Sequence, residues 1–423
     1  MTVALPPLAD SLFLPDAQLR ASRLDLSHVT LPPRLRPGAR IAVQDITEFY
    51  GETSGGIRTY LREKAAYVEA RADLRQVLVL PGVRDALTQR TGVRCYRLQG
   101  PKVPKQAPYR FMLATSTNRR IALHERCDVI EVGSPAFVPW IVRLAARGLE
   151  TPVVSFYHSN FPRVFVPFPE RASGMRRKLS DAAWGYARLI DKHFAHTIVC
   201  SEFAANDLRR AGIDRITRIP LGVDLAHFHP DRREHRAAVR QRYGLPDGPV
   251  AAFVGRFAVE KEIGVLIDAW PEVYRRTGAV LALIGDGPMR AQLVEQTNGA
   301  KWARFLPYEQ DRDKLADLIA ALDLYVAPSS VETFGLSALE ALASGTPVLS
   351  ADRGGISEQV ATSGAGAQFT AGVAAAFAEA AVELFHSDLE SMGKKGRAYA
   401  EADHSWDSVF DRIFALYASV IPR

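Results

Sequence analysis

The sequence predicts an α/β fold built from two doubly wound parallel-sheet domains that face each other across a cleft. Three observations carry this expectation. Short apolar runs alternate with longer stretches of helical character along most of the chain. The alternation restarts after Gly244-Leu245-Pro246-Asp247-Gly248-Pro249, a turn-rich stretch. The chain has 423 residues, enough for two domains of ordinary size.

Taken in order, residues 1–38 hold Pro6-Pro7, Pro15, Pro32-Pro33 and Pro37, which oppose regular elements. This stretch reads as an extension that wraps the first domain or is partly loose. The first domain is expected over 39–220. Its first strand begins at Ala39-Arg40-Ile41-Ala42-Val43, followed by Gly55-Gly56 and a helix over 57–70. Further strands are expected at 76–80, 127–132, 152–157 and 197–200. A linker region covers 221–248, and the second domain covers 249–400. There the strands are 250–254, 280–284, 324–327 and 347–350, with helices over 263–276 and 288–296. The remainder, 401–423, carries a helical stretch from Trp406 to Val420 that returns to brace the first domain. In open sheets of this kind ligands bind beyond the carboxyl ends of the strands.

Composition narrows the function classes. The chain is 47% hydrophobic and 24% charged, as in soluble globular proteins. No apolar run is long enough to span a bilayer, and the first residues lack the pattern of a signal peptide. Cys95, Cys127 and Cys200 lie far apart, with no metal-type spacing, which suggests a reducing compartment. The net charge of +6 is uneven: residues 1–220 hold 33 Lys and Arg against 20 Asp and Glu, and residues 221–423 hold 20 against 27. The basic half suits an anionic partner: phosphate groups, nucleic acid or a membrane surface. No nucleic-acid-binding motif is present.

The richest chemistry lies in Pro328-Ser329-Ser330-Val331-Glu332-Thr333-Phe334-Gly335-Leu336, running on to Glu340 and Gly345-Thr346-Pro347. It reads as a strand end, a glycine-bearing loop and a helix start. Glu332 and Glu340 can each accept hydrogen bonds from vicinal hydroxyls. The N–H groups of Phe334, Gly335 and Leu336 would face a phosphate at the helix start. Arg256, after Gly255 at the end of strand 250–254, and Lys261 can hold a diphosphate and stabilise it as it leaves. Gly285-Asp286-Gly287-Pro288 is a tight turn at the next strand end. At Phe305-Leu306-Pro307-Tyr308 the backbone could read a base edge and an aromatic could pack on it. Gly55 and Gly56 can bring backbone N–H groups to a phosphate or a sugar. His158 ends strand 152–157, where it could contact a sugar or take a proton. The stretch 161–192 mixes aromatics such as Phe161, Phe165, Phe168, Trp184 and Tyr186 with cations. It suits either a lipid headgroup layer or a buried helix with a solvated face. Asp311-Arg312-Asp313 precedes a helical stretch, so capping is expected there rather than metal binding.

These residues, with Ile219-Pro220-Leu221-Gly222-Val223-Asp224, resemble the family-4 retaining glycosyltransferases of the GT-B fold, over roughly residues 41–415. The resemblance implies two Rossmann-like domains and a nucleotide diphosphate sugar, UDP-glucose or another UDP-linked hexose or uronic acid, held mainly by the second. It implies catalytic roles for His158, Arg256, Lys261 and Glu332. Gly55, Gly56, Gly255, Gly285, Phe305, Phe334, Gly335, Leu336 and Glu340 would bind the donor. It implies no metal and no cofactor, the nucleotide sugar being a co-substrate. Phe156-Tyr157-His158-Ser159-Asn160-Phe161-Pro162-Arg163 and Gly51-Glu52-Thr53-Ser54-Gly55-Gly56 look like the branch that glycosylates membrane lipids such as diacylglycerol. That branch implies a lipid acceptor, an anionic membrane surface as partner, and a cytoplasmic protein peripheral on the inner membrane face. A soluble sugar or polysaccharide acceptor is the other reading of the same donor chemistry, and a sugar-nucleotide binder without turnover is a third. The chain departs from the family at Leu221, where many members carry Asn, and at Glu131-Val132-Gly133-Ser134-Pro135, where many carry a histidine.

Overall fold

A computed structural model describes residues 12–51, 55–104, 108–165 and 174–422. The first domain runs α1 (Asp16–Leu19), β1 (Ile41–Ile46), α2 (Gly55–Glu69), β2 (Leu74–Gly82), β3 (Ala86–Arg90), β4 (Val93–Gln99), α3 (Thr115–Glu125), β5 (Val129–Val132), α4 (Val138–Ala145), β6 (Val153–Phe156), α5 (Phe161–Phe165), α6 (Gly174–Asp191), β7 (His196–Val199), α7 (Glu202–Arg210) and β8 (Ile216–Arg218). Its strands form one sheet in the order β3-β4-β2-β1-β5-β6-β7-β8. Pairings are parallel apart from β3 with β4, an antiparallel edge that the alternation pattern did not disclose. β1 lies at the centre between β2 and β5 and is buried along its whole length.

Alternation along β1 sorts the helices into two layers. Ile41 and Val43 pack with Tyr60, Leu61 and Tyr67 of α2. Ala42 and Ile46 pack with Ile121 of α3, Ile141 of α4 and Ile190 of α6. The described part of the extension wraps this second layer, with Leu26, Val29 and Leu31 buried in it. Arg120 donates to the carbonyls of Leu26 and Val29, and Thr88 donates to that of Leu12 at 2.8 Å.

The second domain opens with a 3-10 turn (Pro230–His235) and α8 (Arg236–Arg242). It continues with β9 (Val250–Val254), α9 (Gly264–Thr277), β10 (Val280–Ile284), α10 (Arg290–Thr297), β11 (Ala303–Leu306), α11 (Arg312–Ala320), β12 (Leu324–Ala327), α12 (Leu336–Ala343), β13 (Val348–Ala351), α13 (Gly355–Ser363), β14 (Gly366–Phe369), α14 (Ala374–Phe385) and α15 (Leu389–Asp403). The sheet order is β11-β10-β9-β12-β13-β14, all parallel. The stretch 221–248, expected as a linker, is only partly one. Val239 and Leu245 join the core of the second domain, and the buried Arg240 binds the Ala321 carbonyl at 2.9 Å and Asp323 at 2.7 Å.

α16 (Trp406–Val420) crosses back and lies on α2 and β1, with Phe410, Phe414 and Tyr417 in the first-domain core. The crossing is stitched to the outgoing one. Val223 N–H donates to the His404 carbonyl at 2.7 Å, and His404 Nδ1 donates to the Leu221 carbonyl at 3.0 Å. Gly222 leaves room for the Trp406 ring. The Leu221 side chain is buried, so this crossing is closed by backbone bonds and apolar packing.

Candidate functional site

Loops at the carboxyl ends of the two sheets face each other, the Thr333 hydroxyl donating to the His158 carbonyl at 2.8 Å, and two ion pairs of the second domain stand on this cleft side. The loop between β12 and α12 carries Glu332. Lys261, in the turn Val259–Lys261 after β9, ion-pairs with it. Burial alone would lower the Lys261 pKa, but the Glu332 carboxylate outweighs it and holds Lys261 above its ordinary value. One turn into α12, Glu340 is buried and bound by Arg312 at 2.8 Å. Burial raises the Glu340 pKa and Arg312 opposes the rise. Arg312 starts α11, whose cap is Asp311, accepting from the N–H groups of Asp313 and Lys314. The Asp-Arg-Asp stretch thus caps a helix, as expected, and its middle residue delivers a cation to the cleft.

Gly335 is the N-cap of α12 at φ 88°, a conformation strained for any side chain. A Cβ there would also collide with Ile356 of α13. The Gly355 N–H donates to the Glu332 carbonyl at 2.7 Å, and Gln359 Nε2 donates to the Phe334 carbonyl at 2.6 Å. So α13 moulds the loop that aims the leading N–H groups of α12. Phe334 is buried against His404, which leaves its backbone rather than its ring for a ligand. Leu336 is half-buried as the first residue of α12.

Gly255 and Gly285 fall at adjacent strand ends, where a Cβ on Gly285 would strike the Gly255 carbonyl. Their first demand is mutual close packing of the two turns. Phe305, at the end of β11, is half-buried edge-on to Phe257 with the Arg290 guanidinium over it at 5.8 Å. Gly55 and Gly56 begin α2, exposed, with open space where side chains would stand.

His158 follows β6, its ring stacked on Phe156 at 4.0 Å and edge-on to Tyr60 at 5.0 Å. Its carbonyl accepts from the Thr333 hydroxyl at 2.8 Å, which brings the first domain to the Glu332 loop. Burial and the Lys64 ammonium push its pKa down to about 3. The imidazole is therefore neutral at physiological pH. That fits a hydrogen-bonding contact to a sugar and disfavours the proton-taking role also considered from sequence. A second cross-cleft contact comes from Glu358 of α13, whose carboxylate accepts from Glu202 N at 2.9 Å and from Phe203 N at the start of α7.

Sequence reasoning missed three features. Tyr109, on the β4–α3 connection, reaches the Arg256 guanidinium, 5.7 Å from its ring centre. That connection carries prolines at 101, 104 and 108, and only the fold shows where it lies. Lys64 is sealed beneath His158, bonded to Asp45 at 2.5 Å and the Tyr417 hydroxyl at 2.7 Å, with Glu131 at 3.3 Å. Glu131 thus serves a buried network joined by Tyr60 and Tyr417. Glu48, after β1, is 3% exposed. One carboxylate oxygen accepts from Phe137 N at 3.0 Å, the other has no partner, and burial pushes the pKa up to about 7. Among the expected aromatics of 161–192, Phe161 is buried, Trp184 and Tyr186 are half-buried, Phe165 ends α5, and Phe168 lies outside the described residues. Among the described residues no helix is long and apolar enough to cross a membrane.

Family models match both halves of the chain: "Glycosyltransferase Family 4" over residues 54–227 and "Glycosyl transferases group 1" over residues 248–387. The chain is 34% identical over 313 residues to a GDP-mannose-dependent α-(1-6)-phosphatidylinositol dimannoside mannosyltransferase of Mycobacterium tuberculosis, covering 73% of this chain and 78% of that protein. It is 33% identical over 235 residues to a sulfoquinovosyl transferase of Arabidopsis thaliana, covering 54% of this chain and 43% of that protein. Among solved structures, the sucrose-phosphate synthase of Thermosynechococcus elongatus superposes with a TM-score of 0.74 at 22% identity, covering 90% of this chain and 99% of that one.

Proposed function

The chain belongs to the family-4 glycosyltransferases of GT-B fold, and from that premise we propose that it moves a hexose or uronic acid from a nucleoside diphosphate sugar to a membrane-lipid hydroxyl. The reaction retains the anomeric configuration and uses no metal ion. The observation that carries the reading is the paired set Lys261–Glu332 and Arg312–Glu340 around the start of α12.

In this reading the diphosphate takes Lys261 and Arg256 as its cations, with the leading N–H groups of α12 completing the cradle. Glu332, freed from Lys261, accepts from the sugar hydroxyls. Glu340, oriented by Arg312, accepts from the ribose diol. Gly55 and Gly56 let the start of α2 approach the donor. As the bond from the anomeric carbon to the diphosphate oxygen breaks, the cations take up the charge. The acceptor oxygen forms its bond on the same face, and the departing diphosphate oxygen receives its proton. A neutral His158 beside the sugar holds a hydrogen bond and does not compete for that proton.

The lipid acceptor is supported by the outer helical layer of the first domain. Leu144 of α4 and Leu179 and Leu189 of α6 are exposed, and so are Arg143, Arg147, Arg177, Lys178, Arg188 and Lys192. Apolar side chains interleaved with cations suit an anionic headgroup layer, and the protein would sit peripherally on the cytoplasmic leaflet. For the donor, the relative named as GDP-mannose-dependent sets GDP-mannose beside the UDP-linked hexose expected from sequence. The test is to incubate the purified protein with UDP-glucose, UDP-glucuronate, UDP-galactose or GDP-mannose and a total lipid extract. One donor should be consumed, and one lipid should gain the mass of one sugar. Consumption with sugar gained only by water-soluble acceptors would sink the lipid reading, and no consumption of any donor would sink the enzyme reading.

A further inference from the structure

Lys261 and Glu332 stand on separate elements, the turn after β9 and the loop after β12, and one side chain stitches the two together. Glu262 follows Lys261 and closes the turn Val259–Lys261 at φ 52° and ψ 30°. That left-handed conformation is disfavoured for a residue with a Cβ. Backbone bonds shape the turn itself: Glu262 N–H donates to the Val259 carbonyl at 3.1 Å, and Val265 N–H donates to the Glu262 carbonyl at 3.1 Å. The side chain reaches out of it. Glu262 Oε1 accepts from Ser330 N–H at 3.2 Å and from the Ser330 hydroxyl at 2.5 Å. A second stitch lies beside the first, Ser329 Oγ donating to the Glu260 carbonyl at 2.8 Å. Ser330 is two residues before Glu332. Beyond Ser330 the loop is held by α13, where Gly355 N–H donates to the Glu332 carbonyl and Gln359 Nε2 to the Phe334 carbonyl. Glu332 is thus suspended between two anchors, and only the near one belongs to the turn that carries Lys261.

We propose that Glu262 is the positioning residue of the Lys261–Glu332 pair: by binding Ser330 it fixes the Glu332 loop against the Lys261 turn, so that ammonium and carboxylate are set before a ligand arrives. Its consequence for the rate rests on the roles given to that pair in the proposed transfer. A backbone in a disfavoured conformation persists where surrounding bonds over-determine it. Here the side-chain bonds run to the loop of the site, and an ionised acceptor strengthens them. Glycine would adopt the same turn without strain. It would also leave the Ser330 N–H and hydroxyl to water, with the Ser329 stitch alone holding loop to turn. Both bonds end on Oε1, where the amide oxygen of a glutamine can also accept. The shape of the turn and the hold on the loop can therefore be removed separately.

The test follows two quantities in the full-length protein: the kcat of donor consumption, and the acylation of Lys261 by acetic anhydride at mildly alkaline pH, mapped by mass spectrometry. Glu332 holds Lys261 above its ordinary pKa, so a loosened loop leaves a more reactive amine. Glu262→Ala and Glu262→Gly should each raise the acylation several-fold. Each should also lower kcat roughly tenfold, within the 100-fold that a misplacement of about 1 Å can cost. Glu262→Gln should restore both. The glycine variant separates positioning from structure: relieved of strain, it should melt above the alanine variant and yet be no faster. Ser330→Ala should add nothing to Glu262→Ala, since both act on the same bonds. Full kcat in Glu262→Gly, unchanged acylation in the alanine and glycine variants, or a further loss in the double variant overturns the assignment. Acylation is read without a donor, which keeps the two ideas apart. Raised acylation with glutamine rescue, in a protein that consumes no nucleotide sugar, removes the proposed function and leaves the positioning. Donor consumption with acylation indifferent to Glu262 removes the positioning and leaves the function.

Discussion

At the mouth of the second domain the Lys261–Glu332 pair is half-open, whereas the ionic cluster of the first domain is sealed. Lys261 and Glu332 keep about a quarter of their side-chain surface in contact with solvent, at 25% and 23%. Lys64, Asp45 and Glu131 keep 0%, 2% and 2%. The chemistry is the same, ammonium against carboxylate, but the consequences differ. A half-open pair can exchange its partner for a ligand with little loss of folding free energy. A sealed trio cannot, because any ion left without its partner stays in a low-dielectric core. In the proposed reaction charge would serve turnover on one side of the cleft, and it serves architecture on the other, where Lys64 ties β1, β5, α2 and α16 together beneath His158.

The largest effect should come from breaking the sealed side. Lys64→Met strands two carboxylates in the core and should lower stability by about 3–5 kcal/mol, measured by urea unfolding. A loss under about 1 kcal/mol, the range of exposed pairs, would mean that the cluster is not sealed and the contrast is false. On the open side the same kind of change should spare the fold and strike the rate. Lys261→Ala and Glu332→Ala should each lower kcat/KM by roughly 10²–10³, the scale of removing one group that stabilises developing charge. Their unfolding free energies should stay within about 1 kcal/mol of the unaltered protein. Near-normal transfer by both variants would withdraw these residues from the reaction.

The same contrast explains what the sequence made readable. Glu332, Gly335 and Glu340 are legible because strand end, turn and helix start follow one another within a single stretch, so the spacing of the residues is already the geometry of the site. The two-domain α/β fold was legible for a similar reason, each strand and its helix being local signals. The Lys64 cluster draws on four separate elements, and Lys64 and Tyr417 are 353 positions apart, so no window of sequence holds it. The β3–β4 edge escaped because Arg94 and Arg97 of β4 are buried. Arg94 meets Glu125 at 2.7 Å and the carbonyls of Pro32 and Pro33, so a charged residue there marks the inside of the fold rather than its surface. Tyr109 was hidden for another reason: only folding brings its irregular connection across to Arg256.

The smallest expected effect is on pH dependence, and it asks whether His158 and Glu48, shifted in opposite directions, set its slope. His158 is pushed down to about 3 from an ordinary 6.5. As pH falls through that window the unfolded chain gains a proton that the folded chain refuses, so stability falls with falling pH. Glu48 is pushed up to about 7 from an ordinary 4.5. Between those values the folded chain keeps a proton that the unfolded chain has released, so stability falls with rising pH. The two slopes oppose each other between about 4.5 and 6.5 and partly cancel. Glu48→Gln should therefore leave a melting temperature that climbs more steeply with pH across this range. His158→Asn should tilt the same curve the other way. Lys261, held above its ordinary value by Glu332, stays protonated throughout, so Lys261→Ala should shift the curve without tilting it. A tilt from Lys261→Ala with none from the two first-domain variants would reverse the assignment, placing the proton-sensitive groups on the donor side of the cleft.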